Sequence, residues 1–406
     1  MGKAQQTFLF IATGLIALSL LHSPGTGDVS YFWMRWLHNV ETQGIRSGFW
    51  ASYGDYPPLT YVILFAVAKV SQLLQIEAFV GFKLSLAVFL FSTSLVFWAW
   101  TKNLLLTMIV QLALILNSMA LGYVDIYFAP TLILSLWALQ ARKLFAFTVL
   151  FSMTCFIKWQ PVIVAPFALL YILNIERMAE WKRIDFKKLL WSVILPGLAL
   201  ILLALLIFRY ELIAAFTRAT DHRVLSGYAL NFHWMLTHLL HTFYPQAFGS
   251  LVDGQATIIE LENLRILTLL KAAFFVLYAS VIFAFWRREK TFENLILYAL
   301  IGYLAYFTFN VGVHENHLFL VSILAAVLFW RRREHLLTFI ICALAANANL
   351  FIFYGVDGKG LPISRVVGVD LAFPLSILNV LLFFALFSMA VLKTRTSPAA
   401  APAGLH

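Results

Sequence analysis

Apolar runs near the length of a bilayer crossing recur along almost the whole chain, and they constrain the fold more than any motif does. A transmembrane helix needs about 20 predominantly apolar residues. This sequence supplies such segments repeatedly, rich in Leu and Phe, with short polar stretches between them. Hydrophobic residues make up 62% of 406 and charged residues only 12%, which a water-soluble helical core of this size would not need. No long polar segment is present to build a separate soluble domain. The expectation is therefore one polytopic, all-α membrane domain over residues 1–393, followed by a Ser-Pro-Ala-rich, disordered cytoplasmic tail over 394–406. Cys155 and Cys342 both lie in apolar segments and read as small core residues, not as a disulfide or a metal pair.

The net charge of +10 points to nucleic acid only if the position of the charge is ignored. Basic clusters recur between the apolar runs at Lys3, Lys102, 142–143, 177–188, 287–290, 331–333 and 393–395, and hold 17 of the 29 Lys and Arg. The other 12 lie toward the intervening loops, which hold 13 of the 19 acids, so the clusters belong on the cytoplasmic side. An even number of crossings must then separate each cluster from the next. That parity gives spans at 7–21, 81–100, 104–121, 126–140, 144–157, 162–173, 189–208, 266–286, 292–309, 318–330, 335–353 and 374–392. The first run has no small-residue cleavage pattern and reads as a retained span. Residues 58–76 carry Lys69, Ser71, Gln72 and Gln75, and read as a helix at the outer interface. The total is twelve crossings, with both termini cytoplasmic. Within the first outer loop (22–76), the stretch 27–61 has about the right length for two short surface helices. The fourth (209–265) is the longest, and the last (354–373) looks like a flexible, Gly-rich lid.

Charge counting alone thus collects Asp28, Asp55, Asp125, Lys158, Arg223, His233 and His314 on one face. Carboxylates at a membrane face suit general base work or a divalent cation, although Asp28 and Asp125 could equally cap helix starts. Tyr56-Pro57-Pro58 beside Asp55 reads as a structural corner. Lys158 interrupts an apolar hairpin, where a cation is costly unless it meets an anion or an acid. Asn231-Phe232-His233-Trp234 and Asp221-His222-Arg223 mix basic and aromatic groups as a phosphate-plus-sugar site would. His314-Glu315-Asn316-His317 lacks zinc spacing and fits a phosphate or hydroxyl contact better.

In this order the landmarks resemble a family. Gly27-Asp28 before a Trp-rich surface helix, Asp55-Tyr56-Pro57-Pro58-Leu59-Thr60, Asp125, Lys158-Trp159-Gln160, Asn231-Phe232-His233-Trp234 and Val313-His314-Glu315-Asn316 look like a GT-C glycosyltransferase. The likeness is greatest to the dolichyl-phosphate-glucose glucosyltransferases of N-glycan assembly, which use polyprenyl-phosphate sugars. The resemblance implies a GT-C-like bundle of about twelve transmembrane helices with interfacial helices in the first outer loop. It also implies hexose transfer, with inversion, from a polyprenyl-monophosphate sugar to a hydroxyl of a lipid-linked saccharide or glycolipid.

In that reading Asp28 is the catalytic base. Asp55, Asp125, Lys158, Arg223, His233, His314 and Glu315 bind substrate, and Lys158, Arg223 and His314 meet the leaving phosphate. No cofactor or metal is required, although a divalent cation between Asp28 and Asp125 is conceivable. The partners are the lipid donor, the lipid-linked acceptor and membrane lipids, with no nucleic acid. Asn316 stands where the family has Lys, and Ile126-Tyr127-Phe128 replaces a motif rich in Gly, His and Gln. The short loops and the tail look bacterial, which places the protein in an inner membrane with its site on the periplasmic face. Two other readings remain: a flippase for a lipid-linked saccharide, and a polymerase or ligase using lipid-diphosphate glycans.

Overall fold

The computed structural model describes residues 2–176, 180, 182, 184–360, 365, 366 and 369–392. The tail expected after residue 393, part of the basic stretch 177–188 and part of the last outer loop lie outside the described residues.

The chain is helical almost throughout. It opens with α1 (Lys3–Ser19), α2 (Met34–Ser52), α3 (Pro58–Leu74), α4 (Ala78–Thr101) and α5 (Leu104–Ile115). The middle holds α6 (Ala129–Gln140), α7 (Leu144–Ile157), α8 (Ala165–Leu173), α9 (Phe186–Leu189) and α10 (Leu195–Phe208). The long outer loop holds α11 (Tyr210–Thr220), α12 (Phe232–Phe243) and α13 (Pro245–Phe248). The chain closes with α14 (Leu264–Trp286), α15 (Phe292–Phe309), α16 (Phe319–Arg331), α17 (Leu336–Tyr354) and α18 (Ala372–Leu392). Strands are minimal. A parallel pair joins β1 (Ser226–Gly227) to β2 (Val313–His314), and an antiparallel pair joins β3 (Arg365–Val366) to β4 (Val369–Asp370).

Among the described residues, six helices are long and apolar enough to cross a membrane: Ala78–Thr101, Phe186–Phe208, Arg265–Trp286, Phe292–Phe309, Arg333–Tyr354 and Ala372–Val391. Phe186–Phe208 runs through α9 and α10, and Leu190, Trp191, Leu198, Leu202 and Leu206 on it are exposed. So wide an apolar surface needs lipid to cover it, and the protein is an all-α, membrane-embedded one. In contrast α16 is buried on all sides from Phe319 to Leu328 and forms the axis of the bundle. Cys342 is buried, Cys155 is half-buried, and both are free thiols.

The bundle has two chemically distinct ends. At one, Trp100 near the end of α4 donates Nε1–H to Gln140 of α6 (2.8 Å) and packs edge-on to Trp330 of α16 (5.0 Å). Arg142 donates to the Tyr171 carbonyl at the end of α8 (3.2 Å), and Arg331 pairs with Glu293 at the start of α15 (2.6 Å). Arg288 donates to the Ala390 carbonyl near the end of α18 (2.8 Å). Four of the basic clusters therefore share one end, as parity required. The opposite end carries Asp28, Asp55, Asp125, Lys158 and His314.

The first outer loop folds as two short helices. Within α2, Gly44 adopts φ 78° and reverses the chain, and Asn39 donates to Ser52 across the bend (3.2 Å). A Cβ on Gly48 would lie 2.5 Å from Val40 Cα, so only glycine lets the two arms touch. Pro57 and Pro58 then start α3 at the position where a missing N–H costs nothing. The Thr60 hydroxyl near the start of α3 donates to the Ile157 carbonyl (2.6 Å), and Ser71 near its end packs against Gly81 at the start of α4. Ile157 and Gly81 both belong to the acidic end, so α3 begins and ends there.

Candidate functional site

A cavity of about 830 Å³ opens at the acidic end, lined by Asp28, Trp33, Asp55, Tyr56, Lys158 and His314 among others. Each wall has a local cause. Trp33, Trp36, Tyr56 and Tyr61 stack beneath the first loop with ring centroids 4.9–5.4 Å apart. Gly54 fits because a Cβ there would strike the Tyr61 hydroxyl and the Trp36 ring. The β1–β2 pairing sets Gly227 against His314 and so holds the 313–317 segment at the rim.

The three acids occupy different electrostatic settings. Asp125 is buried in a 3-10 turn over Val124–Phe128. Its Oδ1 lies 2.7 Å from Lys158 Nζ, and Oδ2 accepts from Asn316 (2.9 Å) and Asn117 (3.3 Å). It is an anchor, not a helix cap. Lys158 also donates to the Tyr56 hydroxyl, and its charge sits 4.3 Å from that ring. Asp55 faces His222 (3.3 Å), while its carbonyl accepts from Trp159 Nε1 (2.8 Å). Burial alone would raise Asp55, but the hydrogen bond and charge of His222, with His314 and Lys158, hold its carboxyl below the usual range.

Asp28 is the contrast. It opens the helical turn Val29–Trp33 but makes no capping hydrogen bond, so the N-cap role weighed for it is absent. It is half-buried and lines the cavity. Burial pushes its carboxyl up to about 6; Lys158 opposes this, and Asp55 and Asp125 add to it. A carboxylate with that value is mostly ionised at neutral pH yet basic enough to take a proton.

Glu315 is buried and accepts from the Tyr123 hydroxyl, and its carbonyl accepts from Asn349 (2.8 Å). Burial, and then the charge of Asp28, push its carboxyl up to about 7. His314 is held at about 4, first by burial and then by His222, so it is neutral at pH 7. Its Nε2 is buried without a partner, as is Gln160 Oε1, and both residues line the cavity.

Two residues expected at the site lie elsewhere. Arg223 does not line the cavity and pairs with Asp221 in solvent (3.5 Å). His233 is buried in α12 with Nε2 2.9 Å from the Phe309 carbonyl, and burial drops it to about 4. Its role is to tie α12 to the end of α15. Lys158, placed among the phosphate contacts from sequence, has its charge already matched by Asp125. Three further cations line the cavity: Arg35 and Lys271, which carry no ion pair among the described residues, and Arg218, whose charge is matched by Glu211. Arg218 is fixed by Glu211 and by two bonds to the Gly54 carbonyl (2.8 and 3.0 Å), and Lys271 donates to the Thr220 carbonyl (3.0 Å). Their sequence neighbourhoods carry no motif.

Among the described residues no group of three or more His, Cys, Asp or Glu is placed to hold a metal ion, and a cation shared by Asp28 and Asp125 would have to displace Lys158. No family model and no curated protein matches the chain.

Proposed function

We propose that the chain is a GT-C-type glycosyltransferase that moves a hexose from a polyprenyl-monophosphate sugar to a hydroxyl of a lipid-linked saccharide or glycolipid. The observation that carries this reading is the asymmetry of the three acids. Asp125 and Asp55 are matched by Lys158 and His222, while the Asp28 carboxyl faces a large cavity with its basicity raised.

In this mechanism Asp28 takes the proton of the acceptor hydroxyl as its oxygen attacks the anomeric carbon. The bond from that carbon to the phosphate oxygen breaks on the opposite side, and the polyprenyl phosphate leaves as an anion with the bonding pair. Lys271 and Arg35 would offset the charge that develops, and neutral His314 would supply a hydrogen bond through its free Nε2. The chain would cross the bilayer twelve times, with α3 along the outer interface and the basic end in the cytoplasm, leaving the site on the extracytoplasmic face.

The test is transfer from a panel of polyprenyl-phosphate sugars by the purified protein in lipid nanodiscs. Asp28→Asn is expected to bind donor and lose about 10²–10⁴-fold in transfer rate. A wild-type rate in Asp28→Asn, with Asp125→Asn folded and inactive, would move the base to Asp125. Movement of intact lipid-linked sugar across the membrane without cleavage would make the protein a flippase. Turnover of lipid-diphosphate glycans alone would make it a polymerase or ligase.

A further inference from the structure

A second cavity of about 680 Å³ adjoins the first, and Tyr228 and Tyr354 line both. Its wall is aromatic. Tyr228, Trp234 and Phe353 pack mutually with ring centroids 5.2–5.4 Å apart, and Tyr354 continues the row toward Tyr123, which holds Glu315. Two buried polar atoms of its lining lack any partner. Trp234 is 1% exposed and its Nε1–H donates to nothing; Asp370 is 7% exposed and its Oδ2 accepts nothing. An unmet buried donor and an unmet buried acceptor each cost about 1–3 kcal/mol, and a ligand carrying both complements would relieve them. The rim also reaches the segment just before Asp28. Gly358 at φ +80° lies so close to Gly25 that a Cβ would sit 1.8 Å from its carbonyl oxygen, three residues before Asp28.

We propose that this second cavity is the saccharide-binding subsite for the acceptor, an assignment that rests on the transferase reading above. A pyranose matches the lining in each respect. Its C–H face covers aromatic rings, and its hydroxyls accept from Trp234 and donate to Asp370. The Tyr228–Tyr354 edge then directs the reacting hydroxyl toward Asp28. An apolar lipid tail would leave both polar atoms unmet.

The experiment reads binding and not transfer, so it is independent of whether Asp28 is the base. Methyl α-glucoside, methyl α-mannoside and maltotriose are titrated onto the intact protein in nanodiscs by saturation-transfer NMR, with glycerol as a polyol control. At least one sugar is expected to bind saturably and glycerol not to. Asp370→Asn, close in shape, and Trp234→Phe, which keeps an aromatic ring, are each expected to weaken that binding about tenfold. Arg223→Ala, at a residue that lines neither cavity, is expected to leave it unchanged. Absence of saturable binding, glycerol binding as well as the sugars, or unaltered affinity in whichever of the two variants retain the wild-type melting temperature overturns the proposal. So does weakening by Asp28→Asn alone, which places the sugar in the first cavity. Should sugar binding behave as expected while Asp28→Asn still transfers, the base assignment falls and the subsite stands.

Discussion

Replacing Lys158 by Ala should destabilise this protein before it tells anything about catalysis. Lys158 Nζ lies 2.7 Å from Asp125 Oδ1, and the two side chains are 4% and 2% exposed. The substitution leaves a carboxylate under the cavity with only two neutral amide donors, Asn316 and Asn117. Removing one partner of a buried ion pair costs about 3–5 kcal/mol, against about 1 kcal/mol for an ordinary substitution. At about 2 °C per kcal/mol, the low end for large domains, that is a fall of about 6–10 °C in apparent melting temperature. Cys342 is buried and Cys155 half-buried, so a thiol-reactive dye can follow unfolding in detergent without an engineered probe. Asp125→Asn in the Lys158→Ala background removes the stranded charge and is expected to recover most of the loss. Lys158→Ala melting with the wild type while failing to turn over donor would refute this. The lysine charge would then be free for the phosphate, and the ion pair would contribute nothing to the fold.

Three further outcomes follow from the same arrangement. Asp28 titrates near 6 in the folded protein against 3.8 for an unperturbed Asp, so the folded state holds its proton more tightly and stability falls as pH rises from about 4 to 6. Asp28→Asn should therefore melt higher than wild type at pH 7.5 and lose that advantage at pH 4; the same difference at both would show that the carboxyl is not perturbed. Lys271→Ala should raise the donor KM about tenfold while Arg223→Ala leaves it unchanged, and the reverse result would show that the phosphate binds near Arg223. Cysteines introduced at Tyr53, before α3, and at Gln75, after it, should react from the same side of the membrane, since α3 begins and ends at the acidic end; labelling from opposite sides would mean that α3 crosses.

The polarity of the bundle was legible because Lys and Arg are expensive in lipid, and their spacing along the chain records where it turns. Asp28, Asp55 and Lys158 were legible for the same reason, each being a charge at the edge of an apolar run. Pairing was not. Lys158 and Asp125 sit on different hairpins, and the sequence said only that such a lysine needs an anion or an acid. Asn117 and Asn316, which complete the Asp125 site, look like ordinary polar residues until the helix ends converge. His233 misled because Asn231-Phe232-His233-Trp234 has the composition of a sugar site. Asn231 instead caps α12 through the Trp234 amide (2.9 Å), and the histidine ring closes on a carbonyl of another helix. Arg218 and Lys271 went unnoticed because a single cation in an amphipathic or apolar helix has many bland explanations.

The division among the three acids follows from burial more than from residue type. A carboxylate as deep as Asp125 cannot persist ionised without a matching charge, so Lys158 is drawn to it and the pair is chemically quiet. Asp55 sits where solvent still reaches, and His222 is enough to hold it ionised. Asp28 has no dedicated partner, so the burial that raises its proton affinity is opposed only by the charge of Lys158, which Asp125 already engages. Nothing in the packing requires an acid there: it caps no helix, and Val29 and Trp33 alone carry the buried face of its turn. An acid that weakens the fold at neutral pH and is not needed for its geometry fits the proposed role, in which it would take the proton of the acceptor hydroxyl at the mouth of this cavity.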